Sequence, residues 1–304
     1  MEAIKSFNEK IDGLKPSSII SKSAAKIRKR ALKKNRTKLR FIIWSCIAVA
    51  LFVFVIIAPA FAPYDPYAID LKNTLSAPSD IHVMGTDYVG RDILSRILCG
   101  GYRSVYAAVA VVAITATIGT IIGTLCGYIG GAFDVIVMRI TDAFQAFPSL
   151  IFTIAVAAML GGGMLNAIVA MCAISWTSYA RMARSSVMSV KERTYVKAAL
   201  ITGSSKASVL FKTILPNSLG SIIVMASMHV SNEILAFAGL SFLGLGTAKP
   251  FPEWGTMLND GQQTLQTAPW TVIFPGLAIF AVVIIMGMFG DSVNELLNPD
   301  KDDN

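Results

Sequence analysis

An all-α fold that crosses a membrane six times is the class this sequence predicts, and three observations predict it. Only 15% of the 304 residues are charged while 54% are hydrophobic, and the mean hydropathy is +0.60; a soluble domain carries about 25% charged residues. Six stretches reach the ~20 residues needed to span about 30 Å of hydrocarbon. Lysine and arginine gather in two separated segments, as they do on the cytoplasmic side of membrane proteins.

The first basic segment is an N-terminal arm, residues 1–40, with thirteen Lys and Arg against Glu2, Glu9 and Asp12. Lying directly before an apolar run, it reads as the anchor that keeps the N-terminus inside. Nucleic-acid binding is the lesser reading of that charge. The spans follow at 41–62, 104–129, 135–160, 164–183, 219–243 and 271–290, the third and fifth containing ionisable residues. Residues 41–62 exceed the apolar core of a secretory signal, and no small-residue cleavage site follows them. Between spans four and five, residues 184–217 carry six basic residues against Glu192. With the N-terminus inside, four crossings bring this segment inside as well, so both basic regions agree on one topology. The loop 63–103 falls outside, the core 104–290 holds spans two to six, and the tail 291–304 ends inside.

Within the second span Gly119, Gly123, Gly127 and Gly131 recur every four residues. They make a smooth face on which another helix backbone can approach. Pro275 predicts a kink or local break in span six. The four cysteines form no CxxC pair, and His82 and His229 stand far apart, so neither a redox nor a metal site is expected.

The most informative stretch is cytoplasmic, 193–216, reading RTYVKAALITGSSKASVLFKTILP. Val196, Leu200, Gly203, Ala207, Leu210 and Ile214 fall on one helical face. Gly203 ends a first helix, Ser204 or Ser205 caps a second, and Pro216 stops it. The product is a short amphipathic helix pair with small residues at Ala198, Ala199 and Gly203, suited either to a groove on a soluble partner or to the membrane surface.

Ala198-Ala199-x-x-x-Gly203, with Ile214-Leu215-Pro216 downstream, resembles the EAA loop of bacterial ABC-importer permeases. Lys197 replaces the usual glutamate, and one or two residues are added before the Ile-Leu-Pro ending, both departures common in the peptide and nickel branch. A second block, running from His82 through Gly85, Thr86, Asp87, Gly90, Arg91 and Asp92 to Arg96, resembles that branch's HPLGTDxxGRDxLSR signature, with Val83 and Met84 as departures. A third, Leu240 to Gly246 followed by Pro252 to Leu258, resembles its exit from span five. The three blocks cover about residues 40–298 and are similar to the second permease subunit of dipeptide, oligopeptide or nickel importers.

That resemblance implies the type I, MetI-like permease fold in a bacterial cytoplasmic membrane, with both termini in the cytoplasm. It implies a second homologous permease subunit, two ATP-binding subunits and an external substrate-binding protein as partners. Lys197, Ala198, Ala199, Leu200, Gly203, Leu210, Ile214, Leu215 and Pro216 would then couple to the ATPase. Gly85, Thr86, Asp87, Gly90, Arg91 and Asp92 would help receive the binding protein; turn formers and local ion pairs also fit a self-stapled loop. No G-x-x-x-x-G-K-[ST] occurs, so ATP and Mg are expected on partner subunits and no cofactor on this chain. Arg139 and Asp142 stand three apart and are expected to pair. Asp142, Gln145, His229, Asn232 and Glu233 are the candidate pore-lining residues. Peptides are the expected cargo, with nickel or glutathione as alternatives; an ion-coupled secondary transporter is the rival of another class, but no internal repeat supports it.

Overall fold

A computed structural model describes residues 16–298, with side chains from 35 onward. Residues 1–15 of the basic arm and 299–304 of the acidic tail therefore lie outside the described residues. Ten helices carry the described chain: α1 (Pro16–Ile57), α2 (Ile93–Ile129), α3 (Gly131–Gln145), α4 (Ser149–Met159), α5 (Met164–Lys191), α6 (Thr194–Ile201), α7 (Lys206–Val209), α8 (Leu215–Phe242), α9 (Trp254–Gly261) and α10 (Trp270–Leu297). A π turn, Leu210–Ile214, joins α7 to α8. No strand occurs among the described residues.

Four helical segments are long and apolar enough to cross a membrane: Asn35–Phe61, Ile93–Ile129, Lys206–Phe242 and Trp270–Leu297. The expected third span is not one straight helix. It is α3 and α4, bent by 86°, and as one broken span it brings the number to five. Pro148 causes the break, because it has no N–H to donate and excludes helical backbone before it. α5 has the length of a span but carries Asn166, Arg181 and Arg184, so six is not reached on length and apolarity.

Packing shows how the chain runs through the bundle. Gly119 faces the backbone of Trp176, Gly123 that of Ala180, and Gly127 that of Arg184. The numbers rise together, so α2 and α5 are parallel and α3–α4 must return the chain between them. A Cβ on Gly123 would stand 2.1 Å from the Ala180 carbonyl oxygen, which is why only glycine fits. Gly131, expected on the same ladder, lies past the end of α2 with nothing near it. α8 runs antiparallel to α5, with Ser186 beside Ser221 at one end and Ser175 beside Glu233 further along. Arg40 on α1 meets Glu295 on α10 at 3.0 Å. One end of the bundle thus holds Arg40, Glu295, the end of α2 and the α6–α7 hairpin. The other holds residues 63–92, the turn at Gly162 beside Leu245, and α9.

The core between α2, α8, α9 and α10 is apolar, with Val105, Ala108, Ile234, Trp254, Val282 and Met286 buried together. α10 runs unbroken through Pro275, contrary to a break there. The proline sits in the second turn, so only the Thr271 carbonyl loses its helical donor.

Candidate functional site

Three constructions on this frame bear on function. The first is the α6–α7 hairpin. Gly203 takes φ +87° at the end of α6. The Ser204 N–H donates to Ala199 and the Gly203 N–H to Leu200, closing the helix end with two hydrogen bonds. Ser205, not Ser204, caps α7, its hydroxyl accepting from the Ser208 N–H at 3.2 Å. Val196, Val209, Leu210 and Ile214 are buried against Val187 and Val190 of α5. Leu200 and Ala207, expected on this inner face, are instead exposed, and Val209 takes up the packing. Tyr128, at the end of α2, ties the hairpin and α5 together: its hydroxyl donates to the Lys206 carbonyl of the hairpin at 2.9 Å, and its own carbonyl accepts from Lys191, the last residue of α5, at 2.7 Å. The hairpin is therefore fixed to the ends of two long helices. Its outer surface remains apolar at Ile201, 86% exposed, and Phe211, 64% exposed. Lys197 pairs with Glu192 at 2.8 Å, which holds the Glu192 carboxyl below its ordinary pKa. Ala198 and Pro216 are exposed; Ala199 and Leu215 are partly buried.

The second construction is the loop 63–92. Gly85 and Gly90 take positive φ, and a Cβ on Gly90 would collide with the Asp70 carbonyl. Thr86, Asp87, Arg91 and Asp92 are buried. Asp87 accepts from the Arg91 guanidinium at 2.6 Å and from the N–H groups of Val89 and Arg91. Asp92 caps α2 through Ser95 and lies 3.0 Å from His82 Nδ1. The motif is thus the internal staple of the loop. Among the residues the loop turns outward are four apolar ones, Ile69, Leu71, Ile81 and Val83, beside polar residues such as Lys72 and Asp80. Glu253 completes this end. It caps α9 through the N–H groups of Gly255 and Thr256 and accepts from Ser104 on α2. Burial pushes its carboxyl pKa up, while these donors pull it down.

The third is a cavity of about 400 Å³ between α3, α4, α5 and α8, lined in part by Gln145, Ser149, Ser175, His229 and Glu233. A neighbouring space of about 270 Å³ shares Ser149, Ser175 and Glu233 and adds Asn232. The Glu233 carboxylate accepts from the Ser175 hydroxyl at 3.0 Å. Gln145 donates to Thr177 at 3.2 Å, and His229 meets the edge of the Tyr179 ring. Asp142 does not line either space. It is held by Arg181 of α5 at 2.8 Å, with Arg139, its expected partner, at 3.9 Å. Asp134 is likewise met by both arms of Arg184. Sequence reasoning missed Ser175, Tyr128 and these two arginines, whose partners lie dozens of residues away. Glu253 had a usable signal, an acid directly before a helix.

Residues 119–303 match the family described as binding-protein-dependent transport system inner membrane component. Over 259 residues, 83% of this chain and 86% of the relative, it is 41% identical to a glutathione transport system permease protein of Pectobacterium atrosepticum. Over 272 residues, 89% of this chain and 88% of the relative, it is 39% identical to a dipeptide transport system permease protein of Alkalihalophilus pseudofirmus. A nickel transport system permease protein of Escherichia coli K12 is 38% identical over 237 residues, 78% of this chain and 86% of the relative.

Proposed function

Because the chain belongs to the binding-protein-dependent transport system inner membrane component family, we propose that it forms half of a peptide channel moved by separate ATP-binding subunits. The observation that carries this reading is the α6–α7 hairpin, which exposes Ile201 and Phe211 and is fixed by Tyr128 and a buried cluster to α2 and α5. Partners in this reading are a second homologous permease subunit, two ATPases that hold ATP and Mg, and an external binding protein. The apolar residues Ile69, Leu71, Ile81 and Val83 are the surface offered to that binding protein, presented by the stapled loop. Both termini lie in the cytoplasm: the two basic segments favour that side, and Arg40, Glu295 and the hairpin share one end of the bundle.

ATP binding brings the two ATPases together, and each carries a hairpin with it. Motion of the hairpin passes through Tyr128 and the Val187–Val190 packing to the parallel pair α2 and α5. α5, packed along α2, walls the cavity together with α3, α4 and α8, and the cavity opens outward to receive peptide from the binding protein. Peptides are favoured as cargo because dipeptide transport permeases stand among the relatives and because the cavity holds no cluster of metal-ligating side chains among the described residues.

Cells with and without this chain, given labelled di-, tetra- and hexapeptides, glutathione or nickel, should differ in peptide uptake. Loss of nickel or glutathione uptake with peptide uptake intact would overturn the cargo.

A further inference from the structure

We propose that Glu233 is a transit subsite for the primary ammonium group of a peptide moving through the cavity. The inference rests on the peptide reading above and adds to it a place and a contact. Glu233 lies about two thirds of the way along α8, is only 9% exposed, and lines both adjoining spaces. Its hydrogen-bond partner is a neutral hydroxyl, Ser175. The two acids of α3 are treated differently: Asp134 is met by Arg184 and Asp142 by Arg181, so neither offers a free charge. None of the ion pairs among the described residues involves Glu233. A carboxylate kept at this depth without a cation is costly to a membrane protein and marks a functional position.

The surroundings select the cation. An ammonium group has three N–H donors and needs several acceptors around one charge. Glu233 provides the charge, while Ser149, Ser175 and Asn232 line the same space with neutral oxygens. A divalent metal held by protein side chains would require more ligating groups than are gathered here: no cluster of three His, Cys, Asp or Glu exists among the described residues. His229, one turn earlier on α8, lines the wall and meets the edge of Tyr179. The contact is transient by construction. A single carboxylate with neutral neighbours attracts the peptide N-terminus or a lysine side chain without the closed set of partners that would trap it.

The test uses the complete importer, with its ATPases and binding protein, in sealed vesicles and tri-alanine as cargo. Glu233→Gln, which keeps the shape and removes the charge, should slow tri-alanine uptake by about tenfold or more. Affinity of the binding protein for tri-alanine and the ATP hydrolysis it stimulates should stay as in the native complex. Glu233→Asp should recover most of the rate. Native-rate uptake by Glu233→Gln would overturn the subsite while leaving peptide cargo standing. If the native importer moves no tri-alanine, both readings fall together. If Glu233→Gln and Glu233→Asp lose uptake and thermal stability alike, the residue is structural and the subsite is overturned.

Discussion

Gly203→Asp should abolish co-purification of the ATPase subunits while leaving the chain in the membrane at close to its native level. The geometry separates the two effects. A Cβ at Gly203 meets nothing within 4 Å, so the aspartate projects outward and clashes with no part of this chain. The backbone at φ +87° disfavours a side chain by about 1–2 kcal/mol, and Asp and Asn tolerate that region best. A carboxylate forced unpaired into a dry interface costs about 2–5 kcal/mol, enough to lower association by roughly 1.5 to 3.5 decades. Gly203→Asn carries the same backbone penalty without the charge and should retain the ATPases. Pull-down from solubilised membranes, normalised to the amount of this chain, reads the difference. Equal ATPase recovery with both variants would remove the hairpin from the coupling contact.

Gly123→Leu should cost the chain its fold. The new Cβ would lie 2.1 Å from the Ala180 carbonyl oxygen and 2.8 Å from the Ala183 Cβ, and neither is the end of a flexible side chain. α2 and α5 must separate, and their close approach is what holds parallel helices together where lipid supplies no hydrophobic drive. Overpacking of this kind costs about 1–3 kcal/mol or more. The half-inactivation temperature in detergent and the amount of chain in the membrane should both fall several-fold or by several degrees. Gly287→Ala, at a helical glycine with open space around it, should change neither. Native stability of Gly123→Leu would contradict the packing described for this helix pair.

The sequence was most informative where one residue type imposes one local geometry. Gly203 at the helix end, a serine cap after it, and glycines spaced by four each have a single physical use, and the structure shows Gly203, Ser205, Gly119, Gly123 and Gly127 in that use, Gly131 alone lying outside it. Reading fell short where a partner is remote. Asp142 does pair with Arg139, as the three-residue spacing suggests, at 3.9 Å, but the closer guanidinium is Arg181 on another helix. Turn formers in 85–92 announced a structured loop without saying that Asp87 and Arg91 would face inward. The expected span 135–160 is bent for another reason: Pro148 interrupts a continuous apolar stretch, so the pair α3–α4 spans it only as a broken helix. Leu200 shows the limit of periodicity, since six positions shared a face and three of them, Leu200, Gly203 and Ala207, are turned to the outside.

Disulfide or photo-cross-linking from Ile201→Cys, the most exposed apolar residue of the hairpin, tests the coupling role most directly. In membranes containing the whole importer, the account predicts a cross-link to the ATP-binding subunit whose yield changes when ATP is added. Cross-links to lipid alone, with the ATPase present and intact, would contradict it.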